Sequence, residues 1–342
     1  ALLRLHLTIF AGTAVHFGLD RVDIVKGLCV WLRSPIPVAW LPMFTALKRD
    51  PILMSRGFAP GMHGRLRKLA LTTLLCLGGA AQADILIGQT TAVTGPVAAS
   101  VGETLLGVRA YLDHVNAQGG VHGEKIKLIT LDDNFKPPLA AENARKLIEQ
   151  EGVVALFMSR ATPHTQAILP LLAKHKLALV APSTGAMVFH RPVNPYVFNV
   201  RSSYQAEAER AIEHVFQVTL ERVAVVHVDD SFGADCLEGA QKGFERAGKK
   251  PVAVIKADRE KPDYPAIVKQ LTDANAQAVL WIGSSVAVSD GVKALRQAGS
   301  AAQVLTVSNN ASGGFIKQLG EHARGVVVSQ VFPSERALGI PI

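Results

Sequence analysis

From Asp84 onward the sequence alternates short β-prone runs with amphipathic helical stretches, and few architectures accept that alternation. ILIGQT at 85–90 predicts a strand, and residues 103–118 place Leu105, Val108, Leu112 and Val115 at helical spacing. Gly119-Gly120 ends that helix. Strands follow at 125–133, 153–158, 177–182 and 197–201, with helices at 139–150 and 163–174. A further helix puts Ala208, Ala211, Ile212, Val215 and Phe216 on one face. The pattern then restarts at RVAVVHV (222–228), a run with an almost continuous apolar character, as in a buried parallel strand. Strands at 251–257, 278–282, 304–308 and 325–331 alternate with helices at 232–247, 264–274, 286–298 and 313–320. Successive βα units imply parallel sheets with helices on both faces. These units are too many for one compact sheet. The expected fold is α/β, with two Rossmann-like lobes at 84–203 and 204–330. Ligands of such sheets bind beyond the carboxyl ends of the strands.

Charge supports a division near residue 83. The chain of 342 residues carries a net charge of +8, but residues 1–83 hold ten Lys/Arg against three Asp/Glu. Residues 84–342 hold 26 against 25. A near-neutral body has no electrostatic footprint for nucleic acid. Within 62–83, Arg65, Arg67 and Lys68 precede the apolar run Leu69–Leu77, and Ala81-Gln82-Ala83 has the small-residue pattern of a signal-peptidase site. That run is too short to span a bilayer. The expectation is a signal peptide at 62–83, cleaved after Ala83, and an exported protein beginning at Asp84. Residues 1–61 begin with Ala, carry five prolines and sustain no period, and are read as a non-native upstream extension. Cys29 and Cys76 fall before that boundary, so Cys236 stands alone after it and is read as a packing residue.

The body lacks G-x-G-x-x-G, P-loop, H-E-x-x-H, C-x-x-C and G-x-S-x-G motifs. Its histidines are scattered. His227 reads as a core or strand-end residue, and Asp132-Asp133 as caps of the following turn rather than metal ligands. No catalytic residue, metal or cofactor is assigned. The loops after the strands are instead rich in small polar residues. SRATPHTQ (159–166) reads as a helix start with Thr162 as N-cap and Pro163 as the first helical residue, an arrangement suited to an anion. APSTG (181–185) supplies Ser183, Thr184 and Gly185, GSS (283–285) supplies Ser284, and SNN (308–310) supplies Asn309. DDSFG (229–233) puts Phe232 at the mouth of the second lobe. Each loop alone is explained by capping. Five at strand ends in both lobes point to a polar cleft.

Several stretches carry a resemblance: TAVTGPVAASVGE (91–103), NAQGGVHGEKIKL (116–128), LDDNFKPPLAAENARKLI (131–148), PST (182–184), NPYVFNVRSS (194–203) and VVHVDDSFGADCLEG (225–239). With these, the body resembles the type I periplasmic solute-binding proteins of ABC transporters, and most of all their branched-chain amino-acid branch. The resemblance implies two lobes that close on a ligand by hinge motion. It implies that Thr162, Ser183, Thr184 and Gly185 hold a ligand carboxylate and ammonium, and that Phe232 covers the ligand where relatives have Tyr. Two departures stand out. The loop at 307–310, Val-Ser-Asn-Asn, lacks the acidic residue that pairs with an ammonium in amino-acid binders. Ala98, Ala99 and Ser100 replace an aromatic after TGP. Ser100 joins the candidate site, and the ligand stays open between an amino acid and a carboxylate or amide. The resemblance also implies an inner-membrane ABC permease as partner and a monomeric protein. Residues 331–342 are read as the start of a truncated crossover back to a first lobe left incomplete. The alternatives are a ligand-sensing receptor or regulator on the same fold, and a secreted α/β enzyme.

Overall fold

The computed structural model describes residues 84–332. The readings of an upstream extension, a signal with cleavage after Ala83, and a truncated crossover fall wholly or largely outside those residues. Two five-stranded sheets, parallel throughout, form the described chain. The first contains β1 (Ile85–Thr91), β2 (Ile126–Asp132), β3 (Ala155–Phe157), β4 (Ala178–Val180) and β5 (Val197–Phe198), in the order β2-β1-β3-β4-β5. The second contains β6 (Val223–Val228), β7 (Ala253–Ala257), β8 (Ala278–Ile282), β9 (Gln303–Thr306) and β10 (Val326–Val328), in the order β10-β9-β8-β6-β7. In each sheet the first strand in sequence lies between the second and third, so the strand order reverses beside β1 and beside β6. Such a reversal opens a crevice at the carboxyl ends of the strands.

Helices α1 (Ala98–Ala117), α2 (Pro137–Glu149) and α3 (Thr162–His175) connect the first sheet. Helices α4 (Tyr204–Gln217), α5 (Ser231–Arg246), α6 (Tyr264–Asp273), α7 (Ser285–Gln297) and α8 (Gly313–Leu319) serve the second. Hydroxyl and carboxylate caps start most of the latter: Asp230 accepts from Phe232 N and Gly233 N, Ser284 from Ala287 N, and Ser312 from Phe315 N. The N-x-x-G-G motif has a specific task. Asn116 donates to and accepts from the backbone of Ile126, both at 2.8 Å, tying the end of α1 to β2. Gly120 turns there at φ +72°, where a Cβ would stand 2.0 Å from the Glu124 carbonyl oxygen.

Element boundaries differ from the sequence expectation in instructive places. Helix α1 begins at Ala98 instead of 103, because Val97, Val101 and Leu105 form a narrow buried seam. The strands expected at 153–158 and 177–182 are shorter. Met158 and Ala181 adopt φ of +48° and +52° and end the extended backbone. The run expected at 197–201 pairs only over Val197–Phe198, that at 304–308 over Gln303–Thr306, and that at 325–331 over Val326–Val328.

The second sheet is sealed on both faces. One face packs Val223, Val225, Leu280 and Leu305 against α4 and α5, and the other packs Ala224, Val226, Val279 and Trp281 against α6 and α7. Trp281 is admitted by Gly291 of α7, where any Cβ would come within 2.2 Å of the indole. The first sheet has a smaller core around Leu147, Leu156, Ile168, Leu172 and Leu179. Between the sheets, Arg201 and Glu207 form a buried ion pair. Glu207 also accepts from Ser308 N (2.9 Å) and Ser329 Oγ (2.6 Å), and Arg201 donates to Ser308 Oγ (2.8 Å). Cys236 is buried against this core, and burial pushes its thiol well up. Among the described residues, no helix is long and apolar enough to cross a membrane.

Candidate functional site

A cleft lies where the strand ends of both sheets converge. Its walls come from loops after β1 (Val97), β3 (Arg160–Thr162), β4 (Ser183), β6 (Phe232), β7 (Asp258, Arg259), β8 (Gly283, Ser284) and β9 (Asn309). Phe135, Tyr204 and Trp281 complete it with aromatic surface. This is the composition expected of a small-molecule site: apolar walls with a few directed polar groups.

The β3–α3 loop is the most constrained part. Ala161 sits at φ +70°, ψ +146°, a region that residues with a side chain rarely occupy. This bend brings the start of α3 and Arg160 into the cleft. Thr162 differs from expectation here. Ala161 takes the capping position, the helix starts at Thr162, and Pro163 is its second residue. The Thr162 hydroxyl is drawn away from the helix N–H groups by Thr184, with Oγ1 atoms 2.8 Å apart. Ser159 and Thr165 share a second such bond at 2.9 Å. Ser183 N donates to Ser159 O at 2.8 Å, so the loops after β3 and β4 are stitched together.

Of the residues singled out in the sequence, Thr162, Ser183, Phe232, Ser284 and Asn309 line the cleft. Four do not. Thr184 is fully buried behind Thr162. Pro163 lies in the first turn of α3 without facing the space. Gly185 is a packing position, since a Cβ there would stand 2.6 Å from Ser202 O. Ser100 borders an adjoining recess, where its hydroxyl donates to Val97 O and accepts from Arg160. Asp132 and Asp133 accept from the turn that follows them, and among the described residues no cluster of three His, Cys, Asp or Glu could hold a metal ion.

Sequence reasoning missed the cations. Arg160 Nη2 donates to Ser100 Oγ (3.1 Å) and across the cleft to Asn309 O (3.0 Å). Burial pulls its guanidinium below the usual value; Tyr204 acts in the opposite direction, and Arg201 adds to the lowering. Arg259 pairs with Asp230 and lies 4.4 Å over the Phe135 ring. Phe135 in turn stacks on His164 at 4.9 Å. His164 is buried, and burial, then the nearby Arg259 charge, lowers its pKa to about 4, against a backbone interaction with Phe135 that raises it. Phe232 packs edge-on against Tyr204 at 4.9 Å, and Arg201 lies 4.4 Å over the other ring. His227, read as a core or strand-end residue, bonds Val228 O through Nδ1, while its Nε2 has no partner.

Comparison with known proteins gives the context for this cleft. The family model described as periplasmic binding protein matches residues 84–338. An "Amino acid binding protein" of Pseudomonas aeruginosa is 25% identical over 240 residues, covering 70% of this chain and 64% of the relative. The chain thus spans less than two thirds of that relative's length. A "Leu/Ile/Val-binding protein" of Escherichia coli K12 is 21% identical over 248 residues, covering 72% of this chain and 67% of the relative. The crystal structure of an "extracellular ligand-binding receptor" from Verminephrobacter eiseniae superposes with a TM-score of 0.70 at 28% identity, covering 75% of this chain and 74% of that one. The two-sheet architecture and the family match agree, and the chain belongs to the periplasmic binding protein family, with the type I fold.

Proposed function

We propose that this chain is the solute-binding component of an ABC importer. It captures a small organic solute between its lobes in the periplasm and delivers it, as a monomer, to an inner-membrane permease. The observation that carries this reading is the cleft itself, lined from strand ends of both sheets by apolar surface and isolated polar groups. Thr162, Ser183, Ser284 and Asn309 supply hydroxyl and amide contacts to the solute, and Phe232 covers its apolar part. The amino-acid-binding relatives support a binding role in place of catalysis. The name of the Verminephrobacter neighbour supports a second reading, a receptor that reports on the solute without transporting it.

Titration calorimetry against a panel of metabolites tests the proposal. Saturable one-to-one binding with no product formed is expected, together with weaker binding by Phe232→Ala. Turnover of a bound compound would overturn it. Delivery is tested with the permease reconstituted in vesicles: stimulated ATP hydrolysis and solute uptake support the importer, and binding without either favours the receptor.

A further inference from the structure

Resting on the solute-binding reading, we infer that the ligand is a monocarboxylate with an apolar body and no α-ammonium group, selected by Arg160.

The inference begins with charge. Two cations, Arg160 and Arg259, line the cleft. Arg259 is neutralised by Asp230, which also caps the start of α5. Arg160 has no carboxylate within ion-pair distance among the described residues. Its hydrogen bonds there, to Ser100 Oγ and Asn309 O, both leave from Nη2. A guanidinium has five N–H donors in a planar fork, so Nε and Nη1 keep three for another acceptor. A half-buried cation so placed is stabilised by an anion, and a carboxylate matches its fork. The first turn of α3, beside it, adds donors and a partial positive charge of the same preference.

The other half of the argument is where an ammonium would go. Asp258 is the one carboxylate lining the cleft among the described residues. It is exposed, and its Oδ1 accepts from Glu260 N (2.8 Å) and Lys261 N (2.7 Å), holding its own turn. Glu207, the nearest acid to the β9 loop, is saturated by Arg201, Ser308 and Ser329 and does not line the cleft. The loop after β9 offers Ser308, Asn309 and Asn310, with no charge. Asn309 and Asn310 direct their side-chain amides to Gly283 O. An ammonium enclosed here would lose its water without gaining an anion, which is strongly unfavourable. An apolar body meets Val97, Phe135, Phe232, Trp281 and Ile282 instead.

Calorimetry on the full chain tests this with two matched series: 4-methylpentanoate, L-leucine and 4-methylpentanamide; and 3-phenylpropanoate, L-phenylalanine and 3-phenylpropanamide. In at least one series the acid is expected to bind at least tenfold more tightly than both the amino acid and the amide. The variant Arg160→Gln, checked by its melting curve for a folded state, is expected to bind acid and amide equally. The wild-type series stands by itself if that variant does not fold. Tighter binding of the amino acid overturns the inference while leaving a solute-binding protein in place. So does equal binding of acid and amide, or a folded Arg160→Gln that keeps its preference for the acid. Binding of none of the six compounds overturns the inference as well. Conversion of any of them to product overturns the solute-binding reading itself.

Discussion

The two lobes hold themselves together by different means. Every residue of β6 and β8 is buried, and what they bury is almost entirely hydrocarbon. In the first lobe no residue of β2 is fully buried, and the carboxyl end of β1 buries Gln89, Thr90 and Thr91 instead. Those side chains belong to a polar network. Thr130 Oγ1 donates to Gln89 Oε1, Thr90 Oγ1 donates to Asp133 Oδ2, and Asn143 Nδ2 reaches Asp132 O. Hydrocarbon packing is non-directional and tolerant, whereas a buried polar network has few acceptable geometries. The second lobe is therefore the stable platform. The first is the part whose geometry and pH response are set by individual hydrogen bonds.

The largest test of this contrast is Trp281→Ala, which empties the space that Gly291 leaves for the indole. It is expected to lower unfolding free energy by about 4 kcal/mol in urea titration. A loss under about 1 kcal/mol would mean that the second lobe is not governed by packing. Next is Glu207→Ala, expected to cost about 3 kcal/mol because Arg201 is left buried without its partner. A neutral result would remove the ion pair from the account of how the lobes are joined.

Smaller effects lie in the first lobe. Burial raises the Asp133 pKa to about 6, against hydrogen bonds from Phe135 N and Thr90 that lower it; the adjacent Asp132 charge adds to the rise. A carboxyl with a raised folded-state pKa supports the fold below its unfolded value near 3.8 and withdraws that support as pH rises through 6. Asp133→Asn is expected to be more stable than the parent at pH 7, by roughly 1–2 kcal/mol, with no advantage at pH 3.5. His164 works in the opposite sense. Its folded pKa of about 4 lies below the ordinary 6.5, so its contribution is present above 6.5 and is lost as pH falls toward 4. His164→Leu is expected to flatten that acid-side loss, by roughly 1 kcal/mol at pH 5. A parent protein with the same pH profile as both variants would break the comparison between a polar and an apolar lobe.

Much of this was legible from the sequence, for a physical reason. Buried parallel strands such as VAVVHV and AVLWI carry their signal in every residue, and the helices between them declare one apolar face. The strand-end loops pointed to the cleft through Thr162, Ser183, Phe232, Ser284 and Asn309. The cations were not legible. Arg160 sits in a loop next to a strand, where an arginine usually faces solvent, and its surroundings come from Ser100 and Asn309, 60 and 149 residues away. One signal was available: no acidic residue stands within several positions of it in VVALFMSRATPHTQ. Thr184 and Gly185 were singled out because their types suit a ligand loop. Packing uses both for other purposes, and residue type alone does not separate the two.

The lobes of this structure already touch. Arg160 reaches Asn309 O, Ser231 Oγ donates to Gln166 at 2.6 Å, and the Glu103 carboxylate accepts from Gly313 N and Gly314 N. Each contact favours the closed arrangement whether or not a solute is present, so it lowers the share of binding energy spent on closing. The same bonds must break before the solute can leave. Affinity and release rate are thus coupled in part through residues outside the cleft lining, Glu103 and Gln166 of the first lobe and Ser231 of the second. Glu103→Gln is a change remote from the ligand that should shorten its residence time.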